Sequence, residues 1–226
     1  MDRYAKNKEL ISENEQELLA AKTAAIVGLG GLGGHIAEQL ARLGFGKLLL
    51  IDGDSIDRTN LNRQLFALES TLGMPKADAA LQRIADVNPG VKCSAHKCRL
   101  TPENGMELLQ GADIVLDAVD NIPSRFVLEE LCGKLEIPLV HGSIGGWWGQ
   151  VCVILPGDDV MQKLYSCENV AGAEARYGNP AFTPAVVASL QAAEALKYIL
   201  GRPGLLRGKL LRVDLLEHEH FLITLP

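Results

Sequence analysis

Residues 26–33 read Ile-Val-Gly-Leu-Gly-Gly-Leu-Gly, and the next apolar run closes on Leu50-Ile51-Asp52-Gly53-Asp54. A buried strand, a glycine turn, an amphipathic helix and a second strand ending in an acid make up the first half of a nucleotide-binding α/β unit. Gly28 and Gly30 let the chain turn tightly and approach a phosphate, and Gly33 lets helix and strand pack closely. With Gly31 and Gly34 added, the turn can offer several backbone N–H donors to an anion at the helix N-terminus. Asp52, at the end of the second strand, is placed to accept hydrogen bonds from ribose hydroxyls, whereas Asp54 is expected to be a solvent-facing or turn acid. No Gly-Lys-Ser/Thr follows, so this is not a Walker A loop. A nicotinamide enzyme and an ATP enzyme could both use the arrangement.

The rest of the chain continues the alternation. Helix is predicted over 7–22, strand over 23–27, helix from 33 or 34 to 43 and strand over 47–51, followed by a loop of about twenty residues, a length that is usually functional. Met74-Pro75 opens a helix that Asn88-Pro89 stops. Strands are predicted at 91–95, 112–116 and 138–141, with helices at 102–110 and 124–135 between them. Strand and helix in turn imply a largely parallel sheet covered on both faces. The last third departs from this: a strand at 150–155 without a crossover partner, a polar Gly- and Pro-punctuated stretch at 156–183, a helix at 184–200, and a hairpin of 209–215 with 220–225. These strands are expected to extend the same sheet antiparallel. The whole is expected to be one Rossmann-like α/β domain over residues 1–226, its nucleotide-binding half at 23–141.

Three sites beyond the glycine loop carry chemistry. Arg63 lies in Asn60-Leu61-Asn62-Arg63-Gln64, a segment with no hydrophobic period, and its guanidinium fork suits phosphate oxygens. Lys76 stands near a helix N-terminus, a poor place for a cation unless an anion is close. Asp117 and Asp120 follow the C-terminal end of a buried strand, the edge where open parallel sheets bind ligands. A carboxylate there would repel a triphosphate unless a metal intervened, which makes Asp120 a candidate Mg²⁺ ligand with Asn121 as a polar neighbour. Two cations and a metal-binding acid fit phosphoryl chemistry better than hydride transfer, for which His141 is a conceivable proton donor.

Composition narrows the class. A formal charge of −6 without a basic tail argues against nucleic acid as the main ligand. The apolar runs are too short to span a bilayer, and the polar N-terminus carries no signal core, so cytoplasmic residence is expected. Five cysteines without a Cys-x-x-Cys signal neither a disulfide framework nor a closed zinc site. Cys93, Cys132 and Cys152 have apolar neighbours and are expected to be packed thiols; Cys167, in the polar stretch, is expected to be a free thiol, with a nucleophile as the alternative.

Taken together, Gly28-Leu29-Gly30-Gly31-Leu32-Gly33, Asp52-Gly53-Asp54, Asn60 to Gln64, Gly73-Met74-Pro75-Lys76, Asp117 to Asn121 with Arg125, Gly149-Gln150 and residues 189–197 resemble the ThiF/MoeB/HesA family of ubiquitin-activating-like adenylyltransferases over nearly the whole chain. The resemblance implies that Arg63 and Lys76 hold ATP phosphates, Asp120 the Mg²⁺ and Asp52 the ribose, with Asn60 supporting the phosphate site. It further implies a homodimer that adenylates the C-terminal glycine carboxylate of a small ubiquitin-like sulfur carrier ending in Gly-Gly and releases pyrophosphate. Two departures stand out: the paired zinc cysteines of many relatives are missing, so no zinc is expected, and Lys6 stands where relatives carry an arginine after Arg-Tyr. An NAD-dependent oxidoreductase, a non-catalytic partner subunit and an ATP-dependent tRNA base dehydratase are the alternatives.

Overall fold

The computed structural model describes residues 2–165 and 177–226. One sheet of eight strands runs in the order β3-β2-β1-β4-β5-β6-β7-β8. Its parallel part comprises β1 (Thr23–Val27), β2 (Lys47–Ile51), β3 (Lys92–His96), β4 (Ile114–Asp117) and β5 (Leu139–Gly145). The antiparallel part adds β6 (Trp148–Ile154), β7 (Lys209–Asp214) and β8 (Glu219–Thr224). The expected mixed α/β architecture is therefore present. The strand at 150–155 that had no crossover partner pairs with β5 across a hairpin at Gly146-Trp147, over seven residue pairs from Leu139↔Ile154 to Gly145↔Trp148.

Alternation along the strands divides the core. Ala24, Ile26, Leu48, Leu50, Ile114 and Leu116 face helices α2 (Gly31–Leu43), α3 (Lys76–Val87) and, at the antiparallel side, the last helix Phe182–Ile199. Ala25, Val27, Leu49, Ile51 and Val115 face α4 (Gly105–Leu109), α5 (Ile122–Leu135) and the single turn α6 (Met161–Leu164). The last helix, α7, packs closely along α2 and lies across β5 and β6. Strands buried on both faces explain why β1, β2 and β4 are continuous apolar runs without a polar alternation.

Several boundaries differ from expectation: α2 already starts at Gly31, β5 runs on to Gly145 and α4 spans only Gly105–Leu109. The N-terminal helix is not continuous over 7–22: a 3-10 turn at Asp2–Asn7 is followed by α1 (Glu13–Ala20). Ser12 and Glu15 form a reciprocal capping box, which starts the helix at Glu13. The long loop after β2 contains two short 3-10 turns, Arg58–Asn60 and Glu69–Thr71.

The strand order reverses between β1 and β4, and the two glycines there have no room for a side chain. Gly28 has φ +90°, and a Cβ on it would stand 2.4 Å from the Ala118 carbonyl oxygen. A Cβ on Gly33 would stand 1.8 Å from the Gly28 carbonyl oxygen. Gly133, inside α5, meets nothing within 4 Å. Gly33→Ala should therefore cost about 2 kcal/mol or more in urea unfolding. Gly133→Ala should add about 0.5–1 kcal/mol, the helix propensity difference. A neutral Gly33→Ala would contradict this packing.

Candidate functional site

The reversal opens a cleft of about 490 Å³ at the C-terminal ends of the parallel strands. That volume lies in the range of nucleotide-sized ligands. Gly28, Gly30 and Gly31 line its floor, and the N-terminus of α2, capped by the Gly30 backbone alone, points its free N–H groups here. Gly30 and Gly31 are under no backbone pressure comparable to Gly28, since their nearest Cβ neighbours are the Gln64 amide at 3.5 Å and Pro184 at 3.3 Å. A smooth, side-chain-free floor is what a phosphate needs to reach these amides.

Asp52 and Lys76 stand beside each other in the cleft. Asp52 Oδ2 accepts the Leu29 N–H at 2.7 Å, and Oδ1 accepts the Asp54 N–H at 2.8 Å. Burial pushes its carboxyl above the ordinary range, against the pull of Lys76 and these two N–H groups. Lys76 is the first residue of α3 and is buried, with Nζ 3.1 Å from Asp54 Oδ2 and 3.9 Å from Asp52 Oδ2. The anions expected near this helix-start lysine are therefore these two carboxylates. Asp54 is not merely a solvent-facing acid: it pairs with Lys76 and, at 2.9 Å, with Arg99, whose hydrogen bond is the main force holding its carboxyl below the usual range. Arg99 is a cleft residue that lies outside the sequence motifs. It lies three residues beyond the end of β3, and the rule that ligands meet residues just after each parallel strand would have found it.

Arg63 lines the cleft half-buried, its Nη1 donating to the Thr59 carbonyl at 3.0 Å and to Asn62 Oδ1 at 2.9 Å. Gln64 is buried beside Gly30 on the same wall. Asn60 is not among the lining residues. Its Oδ1 accepts the Asp57 N–H at 3.0 Å, and its carbonyl accepts the N–H groups of Arg63 and Gln64 at 3.1 and 2.9 Å. Asn60 thus shapes the turn that presents Arg63. Asp120 and Asn121 stand exposed at the opposite wall; Asn121 Nδ2 donates to Asp120 Oδ1 at 3.1 Å while its Oδ1 caps α5 at the Ser124 N–H. An exposed carboxylate beside a neutral amide suits Mg²⁺, which takes one or two carboxylates and fills its other positions with phosphate and water. Among the described residues no group of three or more His, Cys, Asp or Glu side chains is arranged to hold a metal.

Other residues lie away from the cleft. Lys6 is exposed in the N-terminal 3-10 turn, whose Tyr4 packs against Gly44 and Asn88 at the far end of α2. Burial pushes the thiols of Cys93 and Cys132 up to about 11 and about 12, and that of Cys152 up as well, so these three are packed, unreactive thiols. Cys167 lies outside the described residues.

The chain has relatives among known proteins. The model of the ThiF family matches residues 3–225. This chain belongs to the ThiF family. The SAMP-activating enzyme E1 of Haloferax volcanii is 33% identical over 223 residues, covering 96% of this chain and 82% of that protein. The sulfur carrier protein adenylyltransferase of Thermus thermophilus is 36% identical over 230 residues, covering 96% and 84%. The adenylyltransferase and sulfurtransferase MOCS3 of Drosophila yakuba is 36% identical over 218 residues, and the chain spans only 48% of it. Among solved structures, Escherichia coli MccB with succinimide superposes with a TM-score of 0.83 at 22% identity, over 99% of this chain and 71% of that one, which speaks for the fold. The E. coli tRNA N6-threonylcarbamoyladenosine dehydratase TcdA in complex with ATP gives 0.75 at 26% identity, over 88% and 94%.

His141, the conceivable proton donor, is completely buried behind the cleft with Nδ1 2.6 Å from Asp117 Oδ2. Arg125 already balances the Asp117 charge, so a protonated His141 would leave a buried net positive charge, and burial lowers its pKa below the ordinary 6.5. The unfolded chain therefore takes up this proton at higher pH than the folded one, and the stability a neutral His141 contributes is lost as pH falls below about 6.5. Acidification from about pH 7.5 to 5.5 should lower the unfolding free energy of wild type more steeply than that of His141→Gln, by up to about 1.4 kcal/mol per pH unit. Equal slopes would show that His141 does not carry this linkage.

Proposed function

We propose that this protein uses ATP and Mg²⁺ to adenylate the C-terminal glycine carboxylate of a small ubiquitin-like carrier ending in Gly-Gly. The observation that carries the reading is the convergence of Asp52, Lys76, Arg63 and Asp120, from four separate segments, on one cleft floored by the α2 N-terminus. Asp52 would accept the ribose hydroxyls. The amides of the glycine turn, Arg63 and Lys76 would hold the triphosphate, Lys76 exchanging Asp54 for a phosphate oxygen. Asn60 would act through Arg63. Mg²⁺, held by Asp120, would supply charge neutralisation for phosphates that otherwise repel an incoming carboxylate.

The chemistry asks mainly for position. A carboxylate oxygen of the carrier forms a bond to the α-phosphorus as the bond to the bridging oxygen of the β-phosphate breaks, giving an acyl adenylate and pyrophosphate. The nucleophile is already ionised, so no general base is needed, and Arg63 and Lys76 stabilise charge on the departing pyrophosphate. Burial of His141 outside the cleft removes the proton donor a hydride-transfer reading would need. A homodimer and the absence of zinc belong to this proposal. Among the described residues no helix is long and apolar enough to cross a membrane.

ATP–pyrophosphate exchange against a panel of small Gly-Gly-terminated proteins tests the reading. Asp120→Asn should abolish Mg²⁺-dependent exchange with little loss of stability. Arg63→Ala and Lys76→Ala should each cost about tenfold or more, as expected when a charged contact worth a few kcal/mol is removed. The double variant should lose less than the product, because both groups touch one triphosphate. Near-normal exchange in folded Asp120→Asn would sink the metal assignment.

A further inference from the structure

Behind the cleft lies a second charged cluster that the proposed reaction does not use directly. Asp117 at the end of β4 and Arg125 on α5 are 0% and 2% exposed, with Arg125 Nε 3.5 Å from Asp117 Oδ2. Removing a carboxylate and a guanidinium from water is costly, and apolar side chains of similar size would fill the space without that cost. What these charges hold is therefore informative. Asp117 Oδ1 accepts the Val119 N–H at 3.1 Å, and Arg125 Nη2 donates to the Val119 carbonyl at 3.0 Å. Both polar groups of the Val119 backbone are thus gripped from inside the protein. The next residue is Asp120, exposed at the cleft wall.

The guanidinium is itself aimed. Its Nη1 donates to the Tyr165 hydroxyl at 3.1 Å, and its Cζ lies 5.7 Å from the Tyr165 ring centroid. The hydroxyl is also 3.4 Å from His141 Nε2 and takes the Gln150 amide at 3.3 Å. With the Nδ1 proton directed at Asp117, the free Nε2 of His141 accepts the tyrosine hydroxyl, and the chain of donors is consistent throughout. One arm of Arg125 therefore holds the loop that carries Asp120, and another is held by the Tyr165 hydroxyl, which Gln150 of β6 also bonds.

We propose that Arg125 is a positioning residue for Asp120: braced by Asp117 and Tyr165, it fixes Val119 and so sets where the Asp120 carboxylate meets the metal-bound triphosphate. This rests on the reading of Asp120 as the Mg²⁺ ligand. A lysine at 125 keeps the charge but lacks the fork that reaches the Val119 carbonyl and the Tyr165 hydroxyl together. Tyr165→Phe removes a single hydroxyl and leaves the ring in place, so it serves as the milder variant should Arg125→Lys fail to fold.

The experiment measures ATP binding by calorimetry at graded Mg²⁺, together with thermal melting and the Mg²⁺ dependence of pyrophosphate exchange. Arg125→Lys should raise the Mg²⁺ concentration for half-maximal effect about tenfold, the scale of a lost outer partner of a metal ligand, and Tyr165→Phe should raise it about threefold. Affinity for ATP in chelator should change little in either. A purely structural role would lower the melting temperature and the active fraction without moving the Mg²⁺ midpoint, and that result in both variants, with Asp120→Asn losing the Mg²⁺ response, would overturn the positioning role while leaving the metal assignment intact. An unaltered Mg²⁺ response in Asp120→Asn would overturn both.

Discussion

At the switch point of the sheet, two backbone segments approach so closely that no side chain fits between them. The Gly28 turn after β1 lies against the Ala118 carbonyl after β4, and the first turn of α2 lies against the Gly28 carbonyl. The shape of the cleft depends on this contact. It brings the α2 N-terminus to the sheet edge, brings the β4 loop with Asp120 alongside, and leaves a floor of backbone amides between them. A nucleotide's phosphates can then meet hydrogen-bond donors directly.

The electrostatics follow from that frame. The cleft holds Lys76, Arg63 and Arg99 among Asp52, Asp54 and Asp120, so the cations are largely compensated by carboxylates within the protein. Asp54 is the hub: its carboxylate pairs with both Lys76 and Arg99, its N–H bonds Asp52, and its carbonyl accepts the Lys76 N–H at 2.9 Å. The two carboxylates hold the Lys76 ammonium at the cleft, and on the proposed reading a triphosphate would take over that role.

Local chemistry decided which features were legible in the sequence. The glycine turn, the paired strands β1 and β2, and the motifs around Arg63, Lys76 and Asp120 each carry their signal within a few residues. The structure brings Arg63, Lys76, Asp52, Asp120 and Asn121 to one cleft. Arg99 stands outside every motif and matters through the sheet order that places its loop at this edge, whereas Gln64 lies inside the Asn60–Gln64 segment but carries no charge to mark it as a phosphate contact. The resemblance implies that Asn60 supports the phosphate site, and its Oδ1 closes the turn at the Asp57 N–H from which Arg63 projects. The Ser12-Glu15 capping box was a local signal and was missed, which is why the N-terminal helix was drawn too long. The β5–β6 pairing is a contact between strands on either side of a hairpin, and a strand read in isolation does not reveal its neighbour.

On the proposed reading, the cleft takes a nucleoside triphosphate, not a dinucleotide. Titration of the purified protein with ATP and with NAD, each in the presence of Mg²⁺ and followed by calorimetry, tests it most directly. ATP should bind saturably and more weakly in Arg63→Ala or Lys76→Ala protein, while NAD should give no saturable heat. Saturable binding of NAD with none for ATP would contradict the account.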